Sequence, residues 1–301
     1  MELQDVERKK SAMRKFWYFT AFCLIVIGIA GALNHNWNTV DKDMRDFEKK
    51  WTFSAEELRN LSIKSEYNVS MTFVKSSDGV NSIHLKGRGT EQMIETIQAA
   101  EISGSKLDLE LIRLPRRYMN LFGFNFDSPT EQFVVSVTDD ALLDKLKLKL
   151  DSGNLELKNA SLLRISSAVL DSDSGNMSLG EFASDTLEID VDSGNVKAER
   201  VTANLTASID SGNITIENMT GKAKLSADSG NVKLYKLDSS DTSISVDSGN
   251  AYVRVPADFA GVYDLKADSG RVRAPESRRQ TNDTIKVRTD SGNITIEEAP
   301  R

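Results

Sequence analysis

The sequence predicts an all-β protein: a parallel β-solenoid of about eight coils, preceded by further strands and by one N-terminal transmembrane helix. Three observations carry this expectation. The tetrapeptide Asp-Ser-Gly-Asn recurs through the second half of the 301-residue chain, with its Asp at 151, 173, 192, 210, 228, 247, 268 and 290, and one copy ends in Arg271 instead of Asn. The separations are 22, 19, 18, 18, 19, 21 and 22 residues, a near-constant period of the kind that stacked repeats show. On both sides of each copy apolar residues alternate with polar ones, the pattern of strands that bury one face.

Residues 1–15 form a basic tail holding Arg8, Lys9, Lys10, Arg14 and Lys15, expected to stay in the cytoplasm. Residues 16–33, FWYFTAFCLIVIGIAGAL, carry no charge over a length that crosses a bilayer as a helix, with Phe16, Trp17 and Tyr18 as an interfacial belt. The rest is therefore expected outside the cell membrane, held to the lipid bilayer by a single pass. A cleaved signal peptide is the competing reading, because Ala30-Gly31-Ala32 offers small residues for cleavage. Residues 34–57 are charge-rich, with Val40, Met44, Phe47 and Trp51 near helical spacing, and read as a juxtamembrane helix or stalk.

From Leu58 the period changes to two. Residues 58–145 read as an N-terminal β region, with SSDG at 76–79 as a turn, GTEQMIETIQAA at 89–100 as its one helical stretch, and a capping loop. Residues 146–301 are the repeat. The positions one, three and five before Asp are Leu150, Leu148 and Leu146 in the first copy, and Val191, Ile189 and Leu187 in the third. The positions four and six beyond Asp are apolar in all eight copies, from Leu155 and Leu157 to Ile294 and Ile296, so parity is kept through the motif. A third inward position, nine beyond Asp, carries Ala160, Phe182, Val201, Met219, Leu237 and Pro256, and Ser172 is the polar misfit at an inward place. One coil cannot bury such faces alone, whereas coils stacked about 4.8 Å apart bury them continuously, and eight would rise about 38 Å. Successive antiparallel hairpins are the competing architecture, and they need a second regular turn that the variable return segments lack.

The repeated letters read as corners: Asp151 and Gly153, Asp173 and Gly175, Asp192 and Gly194, Asp210 and Gly212, Asp228 and Gly230, Asp247 and Gly249, Asp268 and Gly270, Asp290 and Gly292. Gly permits a positive φ, Asp and Ser can accept from nearby amides, and Asn in register can form amide ladders. The functional alternative is a calcium-binding β-roll, but each coil supplies one Asp and no second carboxylate at fixed spacing. No cofactor or metal is expected.

Composition narrows the rest. Thirty-eight basic residues face 45 acidic ones, a balance of −7, which argues against nucleic acid. The one cysteine, Cys23, lies in the apolar run, and there are only two histidines, His35 and His84. No Walker loop, His-based zinc motif or Gly-x-Ser-x-Gly elbow occurs, and the repeated Ser has no His nearby, so no catalytic residue is assigned and the expectation is a non-enzyme. A solenoid enzyme acting on an envelope polysaccharide is the alternative.

Two non-repeating stretches are candidate contacts with a partner or membrane. RRYMNLFGFNF gathers Tyr118, Met119, Leu121, Phe122, Phe124 and Phe126, which otherwise read as a cap on the open core. RVRAPESRR places Arg271, Arg273, Arg278 and Arg279 beside the one corner without Asn, suited to an anionic envelope polymer or lipid headgroup and otherwise a solvated surface.

The N-terminal anchor, the strand segment LRNLSIKSEYNVSM and the train of DSGN corners together resemble the bacterial putative-adhesin family of unknown function that includes LiaG-like proteins of Gram-positive bacteria. The resemblance covers about Leu58 to Arg301. It implies a β-solenoid displayed outside the cytoplasmic membrane, in some members beside envelope-stress signalling systems, and it carries no catalytic residues over. The expected role is a non-enzymatic envelope interaction or scaffold protein whose partner is an envelope protein or wall polymer.

Overall fold

The computed structural model describes residues 44–112 and 130–300. The predicted tail and membrane helix, and Tyr118 to Phe126, lie outside the described residues; among those described, no helix is long and apolar enough to cross a membrane. The chain is all-β, a curled mixed sheet. Its elements are β1 (Arg45–Phe53), β2 (Asn60–Ser65), β3 (Asn68–Lys75), β4 (Asn81–Gly89), α1 (Glu91–Ala99), β5 (Lys106–Leu111), β6 (Thr130–Val137), β7 (Leu142–Leu150), β8 (Leu155–Lys158) and β9 (Arg164–Ser174). There follow β10 (Met177–Thr220), β11 (Ala223–Ser229), β12 (Val232–Lys236), β13 (Thr242–Ser248), β14 (Ala251–Val255), β15 (Val262–Ser269), β16 (Val272–Arg273), β17 (Thr284–Ser291) and β18 (Ile294–Glu298).

Each corner joins a strand of one flank to a strand of the other. The flank before the corners runs β5, β2, β7, β9, β10, β11, β13, β17, β15, all parallel. The flank after the corners runs β1, β4, β6, β3, β8, β10, β12, β14, β18, β16, parallel except that β4 is antiparallel to both β6 and β1. The long β10 turns corners within itself and serves both flanks. Between them lies the core, whose alternation is visible in β13, where Thr242, Ile244 and Val246 are buried and Ser243 and Ser245 exposed.

The order of coils departs from the sequence at the end of the chain. β17, of the eighth copy, inserts between β13 of the sixth and β15 of the seventh, so the seventh copy is outermost. Val272, expected inward, is consequently 46% exposed, because no coil lies beyond β16. The longer separations of the last two copies, 21 and 22 residues, supply the chain needed to step over one level and back.

Two other expectations change. The stretch read as a juxtamembrane helix contains β1, paired to β4 over its whole length with Phe47, Trp51 and Phe53 buried. The four-residue step from Phe47 to Trp51 suits one face of a helix and, being even, one face of a strand equally. Leu237 is not an inward anchor: the register slips so that Met219 pairs with Lys236, leaving Leu237 55% exposed and burying Lys236. Ser172 is inward as its position requires, and its hydroxyl has no hydrogen-bond partner.

The helical stretch does form α1, whose cap Thr90 accepts from the Met93 amide at 3.4 Å. Met93 and Ile97 are buried, and the helix lies against β1 and β5, the two strands at the first edge of the stack. It is pinned by the Trp51 indole N–H donating to the Ala100 carbonyl at 2.8 Å and by Gln98 donating to the Glu48 carbonyl at 3.0 Å.

Candidate interaction surface

The corners bond to one another rather than within themselves. Each Asn side chain accepts, through its Oδ1, the backbone N–H and the Nδ2 of the Asn in the next coil, with Asn195 to Asn176 at 3.1 and 2.9 Å as the type. The ladder runs Asn68, Asn154, Asn176, Asn195, Asn213, Asn231, Asn250, Asn293, and ends where Asn293 accepts the N–H of Arg271 at 3.0 Å. Asn68, in the corner between β2 and β3, is thus a rung that lacks the tetrapeptide. Corner amides also cross between levels, as Gly230 N–H donates to the Ser248 carbonyl at 2.9 Å. Among the described residues no corner Asp accepts from a corner amide; Asp151, Asp173 and Asp268 instead meet Lys64, Lys149 and Lys266 at 3.5, 3.2 and 2.6 Å.

The corner carboxylates stand in a column beside a second, shorter one. Lys149 bridges Asp171 and Asp173, which raise its pKa. The pKa of Asp190 is raised by partial burial and then by Asp171, Asp192, Asp210 and Glu188 around it. Among the described residues no three His, Cys, Asp or Glu side chains converge as metal ligands.

A groove of about 650 Å³ crosses the flank before the corners, lined by Thr186, Glu188, Thr206, Lys222, Lys224 and Asp241 among others. It is not lined by paired carboxylates. In register, Glu188 and Asp241 stand three strand levels apart, roughly 14 Å, beyond the separation at which two carboxylates flank one glycosidic bond.

The arginine cluster divides. Arg271 and Arg273 stand at the outer edge of the flank after the corners, Arg273 beside Thr295. Arg278 is committed to the fold, donating to Glu298 at 2.8 Å and to the Ala257 carbonyl at 3.1 Å. Arg279 has a φ of 54° and donates its N–H to the Gly261 carbonyl at 3.2 Å.

Beside Arg273 the structure assembles residues that the sequence reading did not single out. Lys233, Tyr252, Thr295 and Arg273 are successive neighbours across β12, β14, β18 and β16, and Tyr235, Arg254 and Glu297 form the adjoining row. The Tyr235 and Tyr252 rings are 5.6 Å apart at 59°, and the Arg254 guanidinium lies 4.2 Å from the centre of the Tyr235 ring. Lys233 Nζ is 5.3 and 5.7 Å from the two ring centres. The Tyr252 hydroxyl donates to Glu297 at 2.7 Å, and burial together with that carboxylate pushes its pKa up to about 12. The signal was available: counted from the corner Asp, the outward positions five and seven carry Tyr or Arg only in the fifth, sixth and seventh copies.

Among the described residues two charged side chains are buried, Glu131 and Lys236. Glu131 fills an inward position of β6 beside Val69, in space left by Gly87, and burial pushes its pKa up to about 8 against a smaller opposing effect of the Arg88 amide. Lys236 donates to Ser240 at 2.9 Å and to the Gly221 carbonyl and meets Asp238 at 2.7 Å; burial lowers its pKa while Asp238 opposes the fall.

The profile of the family described as Toastrack DUF4097 matches residues 58–297. Similar solved structures include a "putative adhesin" from Bacteroides fragilis NCTC 9343, 11% identical, covering 85% of this chain and 97% of its own, with a TM-score of 0.41. A "putative adhesin" from Parabacteroides distasonis ATCC 8503 is 15% identical over 85% and 97%, TM-score 0.40, and a "putative lipid binding protein" from the same strain is 15% identical over 86% and 98%, TM-score 0.42. No curated protein matches the chain.

Proposed function

The chain belongs to the Toastrack DUF4097 family, and from that premise we propose that it is a membrane-anchored, outward-facing β-solenoid that works as a non-enzymatic, adhesin-like interaction module of the cell envelope. The observation that carries the reading is the unbroken ladder of corners from Asn68 to Arg271, which holds two long flanks in fixed register. Ten strand levels at about 4.8 Å make a flank roughly 43 Å long, suited to an extended partner such as an envelope protein or a wall polymer. The charge-free run at 16–33 behind a basic tail supports anchoring with the C-terminal domain outside. The likeness to LiaG-like proteins supports a place beside envelope-stress signalling. The test is crosslinking in living cells followed by mass spectrometry. One dominant envelope partner is expected, and recovery of only cytoplasmic proteins would refute the reading.

A further inference from the structure

We propose that the face around Tyr235 and Tyr252 binds an acidic polysaccharide laid along the stack, a proposal that rests on reading the domain as an envelope-interaction module. Three observations carry it. First, Lys233, Arg254, Arg271 and Arg273 make no ion pair with a carboxylate among the described residues, whereas elsewhere Arg278 and Arg288 are each held by one and Lys149 by two. In a chain of net charge −7, these four cations against the one carboxylate of the two rows, Glu297, are a local reversal of sign.

Second, two of the cations, Lys233 and Arg254, lie against the Tyr235 and Tyr252 rings. A sugar ring offers a C–H face that packs on a tyrosine and a rim of hydroxyls for polar neighbours, and a uronate adds a carboxylate that a guanidinium takes in a forked pair. Tyr252 is held by its bond to Glu297, and Arg254 is stacked on Tyr235, so both are ordered before a ligand arrives. Third, the row from Lys233 through Tyr252 and Thr295 to Arg273 runs across the strands, along the stack axis, over three strand spacings or roughly 14 Å. A line with a charge at each end and a ring and a hydroxyl between them matches a chain-like anion, whereas the headgroups of a bilayer present a plane.

The test titrates the full-length chain, held in phosphatidylcholine nanodiscs, with polygalacturonate, with its methyl ester, with dextran and with phosphatidylglycerol vesicles, following heat by calorimetry. Saturable binding of polygalacturonate is expected, weakened at least tenfold by Tyr252→Ala and by Arg254→Ala and unchanged by Lys147→Ala, an exposed lysine on the other flank. If Tyr252→Ala lowers the melting temperature, Lys233→Gln and Arg273→Gln replace it. Equal binding of dextran or the methyl ester, indifference to the variants, or capture of vesicles without polygalacturonate would overturn the proposal. Failure here with an envelope partner still recovered by crosslinking sinks the site assignment alone, whereas recovery of only cytoplasmic proteins sinks the underlying reading.

Discussion

Gly230→Ala tests whether the corners are packed as closely as the ladder implies. A Cβ on Gly230, at φ 147°, would stand 1.5 Å from the Gly212 carbonyl oxygen and 2.6 Å from its carbon, while real Cβ contacts stay above 3.0 Å. The two corners would have to separate by about 1.5 Å, since 3.0 less 1.5 leaves that gap. Such a shift breaks the bonds from Asn231 N–H and Nδ2 to Asn213 at 3.1 and 2.9 Å and from Ile214 N–H to the Asn231 carbonyl at 3.0 Å. At about 1 kcal/mol for each of the three, plus about 1–3 kcal/mol for an L residue at that φ, the expected cost is roughly 4–6 kcal/mol. Gly79→Ala is the control: its φ is also positive, 75°, but nothing lies within 4 Å of the added carbon, so about 1–2 kcal/mol is expected. Urea unfolding followed by circular dichroism measures both. Hydrogen exchange should show faster opening of residues 205–236 in Gly230→Ala, because a stacked array weakens first at the damaged interface. Equal costs for the two variants would refute the close-stacking argument.

Glu131 has its folded-state pKa raised to about 8, so stability present at low pH should be lost as pH rises from about 4.5 through 8. The gap is worth at most roughly 4–5 kcal/mol, and Glu131→Gln should flatten the profile of melting temperature against pH and be the more stable form above pH 8. Lys236→Ala should cost about 3 kcal/mol by stranding Asp238 and the Gly221 carbonyl, while Lys236→Met with Asp238→Ala should recover most of it; a double variant no better than the single would contradict the ion-pair account. Asn213→Ala removes both ends of one rung and should cost about 1–3 kcal/mol by urea unfolding, whereas Arg271→Asn should change stability by less than about 1 kcal/mol.

The repeat was legible because the physics of a corner is local. A Gly where backbones pass within contact distance, an Asn whose amide must reach the next Asn, and apolar residues at even spacing each leave a letter at a fixed place. The helix at α1 was legible for the same reason, with Thr90 as its cap. What failed were features set by neighbours distant in sequence. β1 is a strand because β4 offers it an edge. Leu237 and Lys236 exchange places because the turn after β12 supplies Asp238 and Ser240 to receive an ammonium, a possibility that hydrophobic spacing does not weigh. No motif could have disclosed that β17 enters the stack before β15, and neither could the return lengths, since the first separation is also 22 residues and no inversion follows it.

That inversion explains the one corner without Asn. Each Asn serves two neighbours: its Oδ1 receives the next coil and its Nδ2 reaches the previous one. The seventh copy is the last level in space, so its corner must only donate a backbone N–H, which Arg271 does to Asn293. No rung follows that would need its side chain as an acceptor, and the position is released from the requirement that fixes the others. Arg271 therefore marks the end of the ladder by its architecture, and its positive charge is free to face outward beside Arg273. The place to seek function shifts accordingly, from a break in the repeat to the outward columns within it. There the corner imposes no chemistry, and there Tyr235, Tyr252 and Arg254 stand where the first four coils carry Glu, Lys, Ser, Gly and Thr.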